Sequence, residues 1–193
     1  QQVQVPVISI GHAMGSYYYA GVDNTTPIKE MMEHLHKEHG CMRFLYAGGP
    51  KGHYENYSRM TAFKRYILEH GLIEQDTWFG DYEYATGVKY MDRLVKEAIP
   101  FPDAIVCAND NIAAGICARA EELGFNVPED FLVTGFDNME KAAYFYPQIS
   151  TITNDRGKIA ASVVDILHKL WAGGQVESFT FVPTECSFGE SCG

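Results

Sequence analysis

Short apolar runs alternate with stretches of helical period along almost the whole chain, and this alternation restricts the possible folds more than any other feature. VPVISI (5–10), RFLYAGG (43–49), DTWFG (76–80), DAIVCA (103–108), FLVTGF (131–136) and FTFVP (179–183) read as strands, and ISTITN (149–154) as an extended segment. Helical patterns lie between them. Thr26 is placed as an N-cap with Pro27 in the first turn. Ile28, Met31, Met32 and Leu35 then follow at i, i+3, i+4, i+7, and Gly40 stops the helix. Met60, Phe63 and Ile67 mark the next helix, ending before Gly71, and Val88, Met91, Leu94 and Val95 another, ending before Pro100. Ile112, Ile116, Ala120 and Leu123 form a fourth, closed by Gly124. Ile159, Val163, Ile166, Leu167 and Leu170 give the cleanest stripe, ended by Gly173 and Gly174. Near-continuous apolar strands separated by amphipathic helices imply a parallel sheet covered on both faces, with right-handed crossovers.

A chain of 193 residues suits one large domain or two small lobes. At 46% hydrophobic and 21% charged residues it has a globular rather than a disordered balance. No apolar run approaches the roughly 18 residues of a membrane span, and QQVQVPVISI lacks the basic n-region and cleavage site of a signal peptide. No membrane partner is expected. A net charge of -10 repels phosphate backbones, so DNA would have to be gripped by a segment outside this chain. The five cysteines are odd in number and form no CxxC, which suggests neither a disulfide framework nor a zinc ribbon. Cys107, inside AIVCA, reads as a small core residue, a use of thiols that fits a reducing cytoplasm.

In open parallel sheets ligands bind beyond the carboxyl ends of the strands. His12 follows the first strand, Gly48-Gly49-Pro50 the second with Arg59 beyond it, Asp81 and Tyr82 the third, Asn109 and Asp110 the fourth, and Asp137 and Asn138 the fifth. A guanidinium, carboxylates, amides and an aromatic face suit a small polyhydroxylated or heterocyclic ligand. Each residue also has a plainer use. One of Asn109 and Asp110 caps the following helix, leaving the other for a ligand. Asp137 and Asn138 are good turn formers, Arg59 suits a surface ion pair, and Tyr82 can simply pack.

Enzymatic alternatives fare worse. His34, His36 and His39 crowd one helix, but their i, i+2, i+5 spacing does not converge on a metal, and HExxH is absent. AGGPKGHYE is glycine-rich after a strand, yet it lacks GxxxxGK[ST], and Pro50 removes an amide donor. No GxSxG elbow occurs, and Asp76 and Asp81 have no evident acid/base partner. The run Tyr17-Tyr18-Tyr19 can edge a cleft, but reads better as a cover for a hinge or an interface. No catalytic residue, metal or cofactor is assigned.

DAIVCANDNIAAGICARAEELGFNVPEDFLVTGFDN (103–138) closely resembles the effector-binding domain of the LacI/GalR transcription regulators. The apolar strand, AND, a small-residue helix, GFNVPED and a strand ending in GFD follow that family's order and spacing. MEHLHKEHGCMRFLYAGGP (32–50), YSRMTAFKRYILEHGL (57–72), PQISTITNDRGKIAASVVDIL (147–167) and FGESCG (188–193) resemble its flanking segments, with Ala62 and Gly189 where Gly and Arg are usual. The resemblance implies an α/β, periplasmic-binding-protein-like fold of two Rossmann-like lobes with parallel sheets and a hinge, the first lobe incomplete. It implies an N-terminal lobe of 1–40 and 153–176, a C-terminal lobe of 41–152 and 177–193, and hinge crossings near 40, 152 and 176. It carries ligand contacts to Arg59, Tyr82, Asn109 and Asp137, and cleft or hinge positions of the other lobe to His12 and Asp23. The implied protein is a cytoplasmic, homodimeric regulator sensing a sugar or nucleoside-like metabolite, whose DNA-binding headpiece lies outside this chain. The alternative is an input domain of a hybrid signalling protein with a diguanylate cyclase, kinase or AraC-type output.

Overall fold

The computed structural model describes residues 5–140 and 144–192. In chain order its elements are β1 (Ile8–Ile10), β2 (Tyr18–Val22), α1 (Thr26–Lys37), β3 (Arg43–Gly48), α2 (Tyr54–His70), β4 (Ile73–Phe79), α3 (Tyr84–Lys96) and β5 (Ala104–Cys107). They continue with α4 (Asp110–Glu122), β6 (Leu132–Thr134), β7 (Thr151–Ile152), α5 (Arg156–Trp171), β8 (Phe179–Val182), β9 (Cys186–Ser187) and a closing 3-10 turn, Glu190–Cys192. The chain divides into two compact units. One comprises Gln1–Asp23 with Asn154–Thr184, and the other Asn24–Thr153 with Glu185–Gly193.

The larger unit is built on a four-stranded parallel sheet in the order β4-β3-β5-β6. Phe44, Leu45, Tyr46, Ala47, Ala104, Ile105, Cys107 and Val133 are wholly buried in it, as strands covered on both faces must be. β3 leads to the edge strand β4 on one side, and the chain then returns to add β5 on the other. The strand order therefore reverses between β3 and β5, and the crevice at the carboxyl ends of these two strands is the switch point where such sheets take ligands. Beyond β6 the chain is held by parallel bridges Thr134 to Ser150 and Asp137 to Thr153, and by the antiparallel pair β7 and β9.

The helices obey the expected periods with some shifts. α1 buries Ile28, Met31, Met32 and Leu35. Its N-cap position is Thr25 rather than Thr26, and Thr25 makes no side-chain cap bond. α3 buries Thr86, Gly87, Tyr90, Met91 and Leu94 while Val95 faces out, so its contact face takes in Thr86, Gly87 and Tyr90 rather than the valines. α5, with the cleanest stripe in the sequence, fully buries only Ile159 and Ile166, and Trp171 is exposed.

The smaller unit contradicts one reading outright. Tyr18–Val22 is a strand, paired in parallel with β1 and with β8, not a cover for a hinge. The aromatic run and Gly21 hid a strand whose Tyr19 is fully buried against Phe179 and Phe181. The unit boundaries also differ from the expected crossings near 40 and 176. α1 packs against α2 and so belongs to the larger unit, while β8 pairs with β2 and so belongs to the smaller. His34, His36 and His39 do not share one helix, although their spacing had implied it. α1 ends at Lys37, and His39 turns back to bring its Nε2 within 3.0 Å of His34 Nε2.

α3 and α4 touch backbone to backbone through two glycines. A Cβ at Gly87 would lie 2.1 Å from the carbonyl oxygen of Ile112, and one at Gly115 2.1 Å from that of Tyr84. Gly115→Ala is therefore expected to destabilise the chain by roughly 1–3 kcal/mol through overpacking. The change should appear as a lower denaturant midpoint at constant slope. An unchanged midpoint would show that the two helices part without cost.

Candidate effector-binding site

Arg59 stands on the second turn of α2 and is 1% exposed. A buried guanidinium needs partners on every edge. Its Nε donates to Asn24 Oδ1 at 2.8 Å and its Nη1 to the carbonyl oxygen of Ala108, just past β5, at 2.6 Å. Its face lies 3.5 Å from the Phe136 ring centroid, a cation–π contact in a desolvated setting. The remaining edge, Nη2, has no hydrogen-bond partner among the described residues and faces Glu55 Oε2 at 3.6 Å and Asp137 Oδ1 at 3.8 Å. These separations give Coulomb attraction but exceed hydrogen-bonding distance. The arrangement is a clamped guanidinium presenting one donor edge to two carboxylates, not the surface ion pair that Arg59 alone suggested.

Asp137 reaches this point through an unusual backbone. It has φ 101°, and Asn138 has φ 44°, both in the region that disfavours ordinary side chains. The turn is pinned by Asp137 N donating to Ile152 O at 2.8 Å and Asn138 N donating to Thr151 Oγ1 at 3.2 Å. Backbone held in such a region by its surroundings is a frequent mark of a binding site.

Asn109 and Asp110 divide the work differently from expectation. Asn109 caps α4, its Oδ1 accepting from Ile112 N at 3.0 Å, and its Nδ2 donates to the Tyr82 carbonyl oxygen at 2.9 Å. Its side chain thus positions the Tyr82 loop, with one amide hydrogen remaining beyond those two bonds. Asp110 is not left over for a ligand. It is wholly buried, its Oδ1 accepting from Thr151 Oγ1 at 2.5 Å and its Oδ2 from Met139 N at 2.8 Å. Burial pushes its carboxyl up to about 7, against the lowering effect of those two hydrogen bonds, and the Asp137 charge adds to the rise.

Tyr82 is half-buried, with its hydroxyl 3.2 Å from His53 Nδ1 and its ring laid over Gly49. A Cβ at Gly49 would lie 2.4 Å from that ring, so the glycine after β3 is what admits it. Burial pushes the phenol up to about 12 and keeps it neutral.

Arg59, Tyr82, Asn109 and Asp137 all belong to the larger unit, and the structure gathers them around the β3–β5 switch point. His12 and Asp23 belong to the smaller unit, both half-buried, with Asp23 N donating to Val182 O at 3.2 Å. Three residues of the Arg59 cluster escaped the sequence reading. Glu55 was legible as an i, i+4 partner of Arg59. Phe136 lies inside the GFD run itself. Asn24 gave no signal, because it follows the strand that was missed.

Residues 32–192 match the periplasmic binding protein-like domain family. The HTH-type transcriptional repressor PurR of Vibrio vulnificus (strain CMCP6) is 30% identical over 144 residues, which is 72% of this chain and 40% of that protein. PurR of Vibrio cholerae serotype O1 (strain M66-2) is 32% identical over 111 residues, 56% of this chain and 33% of that protein. The chain spans about two fifths or less of the length of these relatives. Among solved structures, the Lac repressor bound to ONPG matches with a TM-score of 0.90 at 21% identity, over 98% of this chain and 58% of that one. The complex of transcriptional regulator CelR with cellobiose matches with a TM-score of 0.86 at 24% identity, over 97% and 59%. At these identities the solved structures speak for the fold. No helix among the described residues is long and apolar enough to cross a membrane.

Asp110 makes stability depend on pH in a predictable direction. Its carboxyl titrates near 7 when folded and near 3.9 when unfolded. From about pH 4 to 7 the folded chain holds a proton that the unfolded chain has lost, so stability falls as pH rises across that window. Asp110→Asn removes this contribution, since the Thr151 hydroxyl can turn round to accept from the amide. Melting temperatures from pH 4 to 8 should slope less in the variant, and parallel curves would refute the assignment.

Proposed function

The chain belongs to the periplasmic binding protein-like family, as an effector-binding domain of LacI type, and on that premise we propose that it senses a small, uncharged, hydroxyl-rich metabolite for a transcription regulator. The observation that carries the ligand class is the spacing around Arg59 Nη2. Its carboxylate neighbours stand 3.6 and 3.8 Å away, too far for hydrogen bonds. A ligand hydroxyl can bridge such a gap, accepting from the guanidinium while donating to a carboxylate. Two carboxylates facing one guanidinium, in a chain of net charge -10, disfavour an anionic ligand. A sugar or a nucleoside supplies the required hydroxyls, and Tyr82 offers a ring for stacking either a pyranose or a base. The CelR structure is a complex with cellobiose and the Lac repressor structure is bound to ONPG, and PurR is an HTH-type transcriptional repressor, which supports a regulator of this kind.

The proposed role is binding without bond cleavage. Ligand occupancy biases the domain between two states, and that bias reaches DNA through a separate headpiece in a cytoplasmic homodimer. Asp137 and Arg59 hold the ligand, Tyr82 stacks on it, and Asn109 keeps the Tyr82 loop in place.

A thermal-shift screen of sugars, polyols, nucleosides and nucleobases tests this reading. Stabilisation by one chemical class is expected, on the order of 2.7 kcal/mol at a hundredfold excess over Kd. In Asp137→Ala, calorimetry should show affinity for that ligand reduced about tenfold to a hundredfold, the loss of one charge-assisted hydrogen bond. No stabilisation by any class, or unchanged affinity in Asp137→Ala, would overturn the assignment.

A further inference from the structure

Three metal-ligating side chains converge on the larger unit, on residues that the proposed effector site does not use. His34 lies in the last turn of α1, His39 just beyond the helix end, and Cys192 in the closing 3-10 turn. One potential ligand atom from each lies within 4.8 Å of the others. The two imidazoles face each other through their Nε2 atoms at 3.0 Å, with ring centroids 4.7 Å apart at 73°. The Phe188 ring lies 4.0 Å from that of His34, centroid to centroid, and shields one side. Cys192 is wholly buried while His39 is exposed, so the cluster has a protected thiol and an open approach from solvent.

From this convergence we propose that His34, His39 and Cys192 form a binding site for a divalent, borderline-soft transition-metal ion, with zinc the best fit. The donor set of two imidazoles and one thiolate is one that zinc takes readily and that magnesium or calcium does not. Zinc–nitrogen bonds of about 2.0–2.1 Å in a tetrahedral site set nitrogens roughly 3.3 Å apart, and a zinc–sulfur bond of about 2.3 Å sets sulfur roughly 3.6 Å from nitrogen. The 3.0 Å pair needs only to open slightly, and the sulfur has at most about an ångström to close. Zn2+ enters as the Cys192 thiol releases its proton to solvent, so thiolate and two neutral imidazoles leave the site with a net charge of one positive unit. The fourth position, on the exposed side, takes water.

A ready outer partner stands behind the sulfur. Cys192 Sγ lies 2.8 Å from Ser150 Oγ and donates to it as a thiol. That hydroxyl now donates to Gly189 O at 3.0 Å; once the thiol becomes a ligand, the hydroxyl can turn from that carbonyl and donate to the thiolate, the kind of support that orients metal ligands. Coordination would tie the end of α1 to Cys192, 153 residues or more away in sequence, and so add a cross-link to a long loop.

Titration of the chain with Zn2+ in a calorimeter, and with Co2+ in a spectrophotometer, tests the site. One metal per chain is expected, with a thiolate-to-cobalt charge-transfer band and the visible bands of tetrahedral cobalt. The melting temperature should rise with Zn2+. Ser150→Ala should weaken binding about 10- to 100-fold, and His39→Ala or Cys192→Ser should weaken it further. His39→Ala is the decisive variant, because its exposed side chain can be removed without disturbing the core, as circular dichroism will confirm. Unaltered metal affinity in His39→Ala, or a cobalt spectrum without the thiolate band, would overturn the proposal.

Discussion

The guanidinium of Arg59 is a permanent charge kept almost entirely from water, and much of the larger unit is arranged around keeping it there. Leaving one partner of such a group unpaired costs about 3–5 kcal/mol. Each of its contacts therefore fixes an element. Asn24 ties down the segment before α1, Ala108 O the end of β5, and Phe136 with Asp137 the end of β6. Glu55 lies one turn back on α2 itself. The two edges used inward hold the fold together, and the third edge faces the two carboxylates. Rigidity and recognition come from the same side chain, because a planar fork has separate donors for each purpose.

The strained turn at Asp137 belongs to the same arrangement. A non-glycine residue at φ 101° costs on the order of 1–3 kcal/mol and persists only where neighbours over-determine it. Here β7 supplies that constraint through Ile152 O and Thr151 Oγ1, and Asp110 adds its bond to Met139 N. Asp110 in turn sits at the start of α4 beside the Asn109 cap, which holds the Tyr82 loop. One hydrogen-bonded chain thus runs from β7 to the aromatic face, so that the strain is distributed over several backbone groups. Residues expected to touch a ligand are, in part, the ones that hold the contacting residues still.

Much about this protein follows from local sequence. The alternation of strand and helix, the i, i+3, i+4, i+7 face of α1, the burial of Cys107 and the placing of Arg59, Tyr82 and Asp137 beyond strand ends are all legible from residue order. Period and chain polarity determine them, and both are properties of a few neighbouring residues. The GFD run and a helix cap at 109 or 110 are local for the same reason, though which of the two caps is settled only in the fold.

Tertiary structure decided what periodicity cannot carry, namely which elements become neighbours. The order β4-β3-β5-β6 creates the switch point, and no single strand's sequence specifies it. β2 reads as an aromatic surface until β1 and β8 flank it and bury Tyr19. α1 joins the larger unit because its apolar face finds α2, while the more regular stripe of α5 stays half covered. Asn24 becomes an arginine ligand, and His34 and His39 meet Cys192, only once segments far apart in the chain are packed together. A side-chain pattern says which face is apolar. The partner of that face, and the polar groups brought with it, are set by long-range packing, whose cost in chain entropy and gain in burial are properties of the whole chain.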